Sequence, residues 1–131
     1  MNRKTFKLWD RPEYYDPSLT DAVKVGDTLY LAGQCGQCPV TGKWGVGFEE
    51  QAVLVWKNIQ FILGKFGLDC SSIVATTTFL SDPADGDKFV QVSNLFIPKG
   101  TTVATTCVAS DRWDPILLLE TAAIARLDLA R

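Results

Sequence analysis

The chain has 131 residues, 47% hydrophobic and 21% charged, a balance that suits one globular domain over 1–131 able to bury its own core. Its formal charge of -2 and pI near 5.0, with Lys and Arg scattered rather than clustered, argue against a phosphate-binding face, so no nucleic-acid partner is expected. There is no histidine, which excludes serine-histidine triads, cysteine-histidine pairs and histidine-ligated metals.

Met1 to Asp10 carries positive charge but no apolar stretch of signal-peptide length follows it. No window reaches the roughly 18 apolar residues of a membrane span, so no membrane partner is expected and the compartment is read as cytoplasmic. Four cysteines are too few for a disulfide-built scaffold, and they are expected to be reduced.

Alternation over Thr5 to Trp9 predicts a first strand, followed by a polar loop with Pro12, Tyr14, Tyr15, Asp16 and Pro17. Ala22–Val25 and Thr28–Gly33 flank Gly26-Asp27, a two-residue link suited to the turns that match strand twist, and predict a hairpin. Cys35 to Gly47 is rich in Gly and Pro and reads as a loop. Phe48, Ala52, Val55, Ile59, Ile62 and Phe66 then recur at steps of three and four, with Glu49 and Glu50 at the start and Lys65-Gly67 at the stop, and predict an amphipathic helix. The β-branched run Ile73–Leu80 predicts a strand in which Ile73, Ala75, Thr77 and Phe79 share one face.

Asp82-Pro83 opens a second helix carrying Phe89, Val92 and Leu95 or Phe96, ended by Pro98 and Gly100. Thr101–Ala109 and Ile116–Leu127 predict two further strands around the loop 110–115. The element order ββ(β)αβαββ gives a two-layer α+β domain, a mixed β-sheet with two helices on one face. The uncovered face is semi-apolar, so a self-association that turns it inward is expected.

Candidate chemistry is sparse. Cys35-Gly36-Gln37-Cys38 is a C-x-x-C, but no helix is expected before about Gly47, so it lacks the helix N-terminus that activates a redox cysteine. A metal site would need Cys70 and Cys107 to join Cys35 and Cys38, and neither has a C-x-x-C partner, so no bound metal is expected. Cys107 has no histidine to generate its thiolate. Gly42, Gly45 and Gly47 fit no nucleotide loop, and Trp44, Trp56, Phe61 and Phe66 read as core and interface. No cofactor is implied. Glu120 stands out as a lone carboxylate in the apolar run Ile116–Ala125, where burial would raise its pKa; the alternative is a structural Glu at a strand edge or paired with Arg126.

Ala22-Val-Lys-Val-Gly-Asp-Thr-Leu-Tyr-Leu-Ala-Gly-Gln34 and Leu119-Glu-Thr-Ala-Ala-Ile-Ala125, supported by Pro39 with Thr41-Gly42, Gln51 with Asn58 and Ile59, and Val74–Leu80 before Asp82, resemble the reactive intermediate deaminase (Rid, or YjgF) family. The resemblance implies a chorismate-mutase-like fold, a homotrimer with a site at each subunit interface, and cofactor-free hydrolysis of small enamines and imines. It implies that Glu120 positions water and that the backbone at Gly33 binds substrate. Gly100 stands where that family has a substrate-binding arginine, and Ser18 where it has a tyrosine. Thr101 and Thr102 are then the hydroxyls expected to orient the substrate, with Lys99, Arg112 or another subunit as candidate replacement cations. The sequence thus supports a Rid-like hydrolase or deaminase, or alternatively a non-catalytic small-ligand-binding or regulatory trimer using the same clefts.

Overall fold

The hairpin anticipated around Gly26-Asp27 is present, with β2 (Ala22–Val25) paired antiparallel to β3 (Thr28–Cys35) and Gly26 at φ 59° in the turn. A computed structural model describes residues 2–9, 18–111 and 114–129 of the chain. The loop bearing Tyr14 and Tyr15, and Arg112 with Trp113, lie outside the described residues.

The sheet has six strands in the order β1-β2-β3-β6-β4-β5, where β1 is Arg3–Phe6, β4 Ile73–Leu80, β5 Ala104–Ala109 and β6 Leu119–Arg126. Only the β4–β5 pair is parallel, so the sheet is mixed as expected. Helix α1 (Gly47–Lys65) and helix α2 (Gly86–Phe96) supply one shared core with a single sheet face.

The predicted periodicity of α1 buries Phe48, Ala52, Val55, Ile59 and Ile62, and Glu50 turns back so that its Oε2 accepts the Val46 N–H at 2.7 Å. Opposite them lie Leu29, Leu31, Leu119, Ala123 and Ala125. Trp56 is 1% exposed and stacks on Phe89 and Phe96 with centroids 6.5 and 6.1 Å away, which makes it core. Burying each large apolar side chain in such a layer stabilises by roughly 1.5–3 kcal/mol, the main source of stability for a sheet whose other face is open. No helix among the described residues is long and apolar enough to cross a membrane.

Several boundaries differ from the sequence expectation. The first strand is Arg3–Phe6 rather than Thr5–Trp9, because the N–H groups of Leu8 and Trp9 donate to Asp21 Oδ2 at 2.7 and 3.3 Å instead of joining a ladder. Ile73 does not share a face with Ala75. A register shift between them carries Ile73 into the core at 1% exposure, while Ala75, Thr77 and Phe79 face outward. The second helix starts at Gly86, after a 3-10 turn at Pro83–Asp85 that Asp82 caps through Ala84 N–H.

The penultimate strand begins at Ala104 rather than Thr101, since Gly100 at φ 90° sits in a turn closed by Thr101 N–H to Pro98 O. The last strand begins at Leu119 rather than Ile116, because Ile116 and Leu117 donate to Asp114 in a preceding turn, and it ends at Arg126 rather than Leu127. The expectation that the open face is semi-apolar holds, with Tyr30, Phe79 and Val108 exposed on it, and β5 is exposed along its whole length.

Candidate functional site

Glu120 is the second residue of β6, paired with Cys35 of β3 on one side and Phe79 of β4 on the other. Directly opposed residues share a face, so Glu120, Cys35 and Phe79 all project to the open side. The β3–β6 register slips between Leu31 and Gln34, a bulge that places Gly33 beneath the glutamate. A Cβ on Gly33 would lie 2.6 Å from both Cγ and Cδ of Glu120 and closer still to Oε1. Any side chain there would displace the glutamate from this position.

Glu120 is half-buried, and that burial raises its carboxyl pKa above the ordinary 4.5. The suggested pairing with Arg126 does not form. Arg126 donates from Nε and Nη2 to Asp128 at 3.0 Å and from Nη1 to Thr28 Oγ1 at 2.9 Å, six residues along the strand. Glu120 lines a cavity of about 240 Å3 with Phe79, Leu80, Ser81, Ser110, Asp111 and Leu117–Leu119.

The wall that carries Glu120 is fastened from α1. Gln51, 2% exposed, donates from Nε2 to Ile116 O at 3.0 Å and to Gly45 O at 3.3 Å, and its Oε1 accepts Leu118 N–H at 3.1 Å. Gly36 and Gly45 lie so close that a Cβ on either would meet the Gln51 backbone, at 2.5 Å from Cα and 2.6 Å from N respectively. About two turns further on, Asn58 Nδ2 donates to Cys35 O at 3.3 Å and Gln37 O at 3.0 Å. The sequence marked Gln51 and Asn58 only as part of a resemblance. Their positions on the helix's apolar face were the available signal, since a buried amide needs partners.

The other expected site residues do not gather in one place. Gly33 belongs to the Glu120 end of the sheet, while Ser18 is exposed in a turn three residues before Asp21, whose carbonyl accepts Ala32 N–H at 2.8 Å. Gly100, Thr101 and Thr102 belong to the other end. Val108 occupies the register row of Phe79 and Glu120, and Ala104 is already four residues back, about 13 Å along the strand. Thr101 lines a separate cavity of about 210 Å3 beside Trp56, Phe89 and Thr105. Lys99, one of the candidate replacement cations, sits exposed in the turn before β5.

Cys35 and Cys38 are separated from α1 by the Gln37–Trp44 bridge, so the C-x-x-C does not sit on a helix N-terminus. Burial and then the charges of Glu120 and Asp21 push the Cys35 thiol up to about 12, whereas hydrogen bonding to Thr41, first through its side chain, lowers Cys38. Among the described residues no group of His, Cys, Asp and Glu is arranged to hold a metal ion.

Residues 14–127 match the model of the family described as "Endoribonuclease L-PSP". A RutC family protein of Aquifex aeolicus is 40% identical over 63 residues, covering 48% of this chain and 50% of that protein. Reactive Intermediate Deaminase A of Arabidopsis thaliana is 33% identical over 88 residues, covering 66% of this chain and 47% of that protein. The chain thus spans about half the length of these curated relatives, whereas a RutC family protein of Saccharolobus solfataricus is 31% identical over 82% of this chain and 85% of its own. The solved structure of E. coli TdcF with bound serine superimposes with a TM-score of 0.79 at 27% identity, over 86% of this chain and 90% of that one.

Proposed function

The chain belongs to the endoribonuclease L-PSP family, and from that premise we propose that it is a cofactor-independent hydrolase of C–N bonds, deaminating a small enamine, imine or related metabolite in the cavity beside Glu120. The observation that carries this reading is the half-buried Glu120 carboxylate over Gly33, raised in pKa by burial and open to a cavity of small-molecule size. Relatives named as a reactive intermediate deaminase and as 2-iminobutanoate/2-iminopropanoate deaminase support it.

The chemistry follows from one carboxylate. Water attacks the carbon of the protonated C=N, the π pair moves to nitrogen, and a water proton passes to Glu120. Glu120 returns that proton to nitrogen, then takes the hydroxyl proton as the carbonyl forms and the C–N bond breaks. The products are a carbonyl compound and ammonia, which takes the proton back from Glu120 to leave as ammonium and restore the carboxylate. A raised pKa suits a group that must both accept and donate near neutral pH.

The active form is a cytoplasmic homotrimer in which the open sheet face and the exposed β5 are covered by neighbouring subunits. Gly33 and Ser18 border the Glu120 end of the cleft, and Gly100, Thr101 and Thr102 reach a substrate only from an adjoining subunit, because within one chain they lie at the far end of β5. Glu120→Gln should abolish ammonia release while sedimentation still reports a trimer. Unchanged turnover would sink the assignment.

One observation favours a second reading, a non-catalytic small-ligand-binding trimer: Gly100 occupies a left-handed turn where a deaminase of this kind would anchor its substrate with arginine. A ligand that raises Tm yet is never consumed would support it. Ribonuclease action fits less well, since phosphates would face Glu120 and Asp111 in the cavity of a protein with pI near 5.0.

A further inference from the structure

Deepening the hydrolase reading, and resting on it, we infer that the Glu120 cavity takes a substrate whose reacting C=N group carries no carboxylate, an uncharged imine or its iminium cation. Two charged side chains, Glu120 and Asp111, line the cavity among the described residues. The other described residues that line it are Ser81 and Ser110, which carry hydroxyls, and the apolar Phe79, Leu80, Leu117, Leu118 and Leu119.

An anionic substrate would bring a third negative charge into a space of about 240 Å3, where half-burial of Glu120 weakens screening by water. It would also raise the Glu120 pKa further and protonate the base that must receive the water proton. A cationic C=N group does the reverse. It draws the Glu120 carboxyl back toward its ionised form and is itself held by that charge, with its carbon the atom that water will attack. Ser110 Oγ, which donates its own hydrogen to Asp111 O at 3.2 Å, can accept from an N–H without adding charge.

The test compares two imines that share one reacting bond, N-benzylidenemethylamine and N-benzylideneglycine, followed by loss of imine absorbance above the spontaneous rate. The expected result is a kcat/KM for the methylamine imine about tenfold or more above that for the glycine imine, with Asp111→Asn shrinking the ratio severalfold. Asp111 is exposed, so its substitution leaves the core untouched. Equal rates, or a preference for the glycine imine, overturn the inference whatever side chain supplies the cation, yet leave the hydrolase reading standing. Acceleration of neither imine would overturn the inference, whereas the hydrolase reading falls separately if Glu120→Gln leaves ammonia release unchanged.

Discussion

Gly33→Ala isolates the contact between the bulge and the carboxylate. An alanine Cβ would stand 2.6 Å from Glu120 Cγ and Cδ and closer still to Oε1; ordinary contact begins at 3.4 Å, so Cγ and Cδ must move by 0.8 Å and the carboxylate oxygen by more. A misplacement of about 1 Å at a reacting group costs on the order of 100-fold in rate, about 2.7 kcal/mol of transition-state stabilisation. Gly33 does not have the positive φ that an L side chain resists. Alanine there also restricts the unfolded chain, a gain of about 0.4–1 kcal/mol that offsets the local rearrangement.

The expected outcome is therefore a kcat/KM lowered about 100-fold with Tm nearly unchanged. The assay is ammonia release across pH, and moving the carboxylate toward water should shift the acid limb of the profile downward. In a Glu120→Gln background the alanine should add nothing, because its effect runs through the carboxylate. Full activity of Gly33→Ala, or an additive loss in the double variant, would refute the reasoning.

Glu120→Gln should be inactive yet more heat-stable than the parent at neutral pH. A carboxyl whose folded pKa is raised adds stability below its unfolded pKa and loses it as pH rises through the folded pKa, so the Tm gain should vanish on acidification. A gain that instead grew toward acid pH would contradict this sign. Gln51→Leu leaves Leu118 N–H and Ile116 O without their amide partner. It should lower unfolding free energy by about 2–4 kcal/mol, read from the urea midpoint. Limited iodoacetamide labelling near pH 8, read by mass spectrometry, should modify Cys38 first. Its pKa is lowered by Thr41, whereas burial pushes Cys70 to about 11 and Cys35 to about 12 and also raises Cys107. Prior labelling of Cys35 would refute that order.

What the sequence revealed depended on the range over which its signals act. The stripe from Phe48 to Phe66 and the turn at Gly26-Asp27 are local devices, and both formed where expected. Glu120 was conspicuous because a carboxylate among ten largely apolar residues is a local anomaly. The bulges were hidden: Ile73 turns inward and Gly33 slides under Glu120 only through pairing with β6, which lies far along the chain. Gln51 acts across 65 and 67 residues, so periodicity could place it on the buried face but not name the carbonyls it holds. The separation of Thr101 from Glu120 was likewise invisible, since it follows from β5 running parallel to β4.

The sheet order has a consequence for how the protein is made. β6 sits between β3 and β4, although all five other strands precede it in synthesis. A nascent chain that has reached only Ala109 holds β3 and β4 with facing, unfilled edges, each able to recruit a foreign strand. The same insertion that closes this gap delivers Glu120, so the site comes into being at the step that ends the hazard.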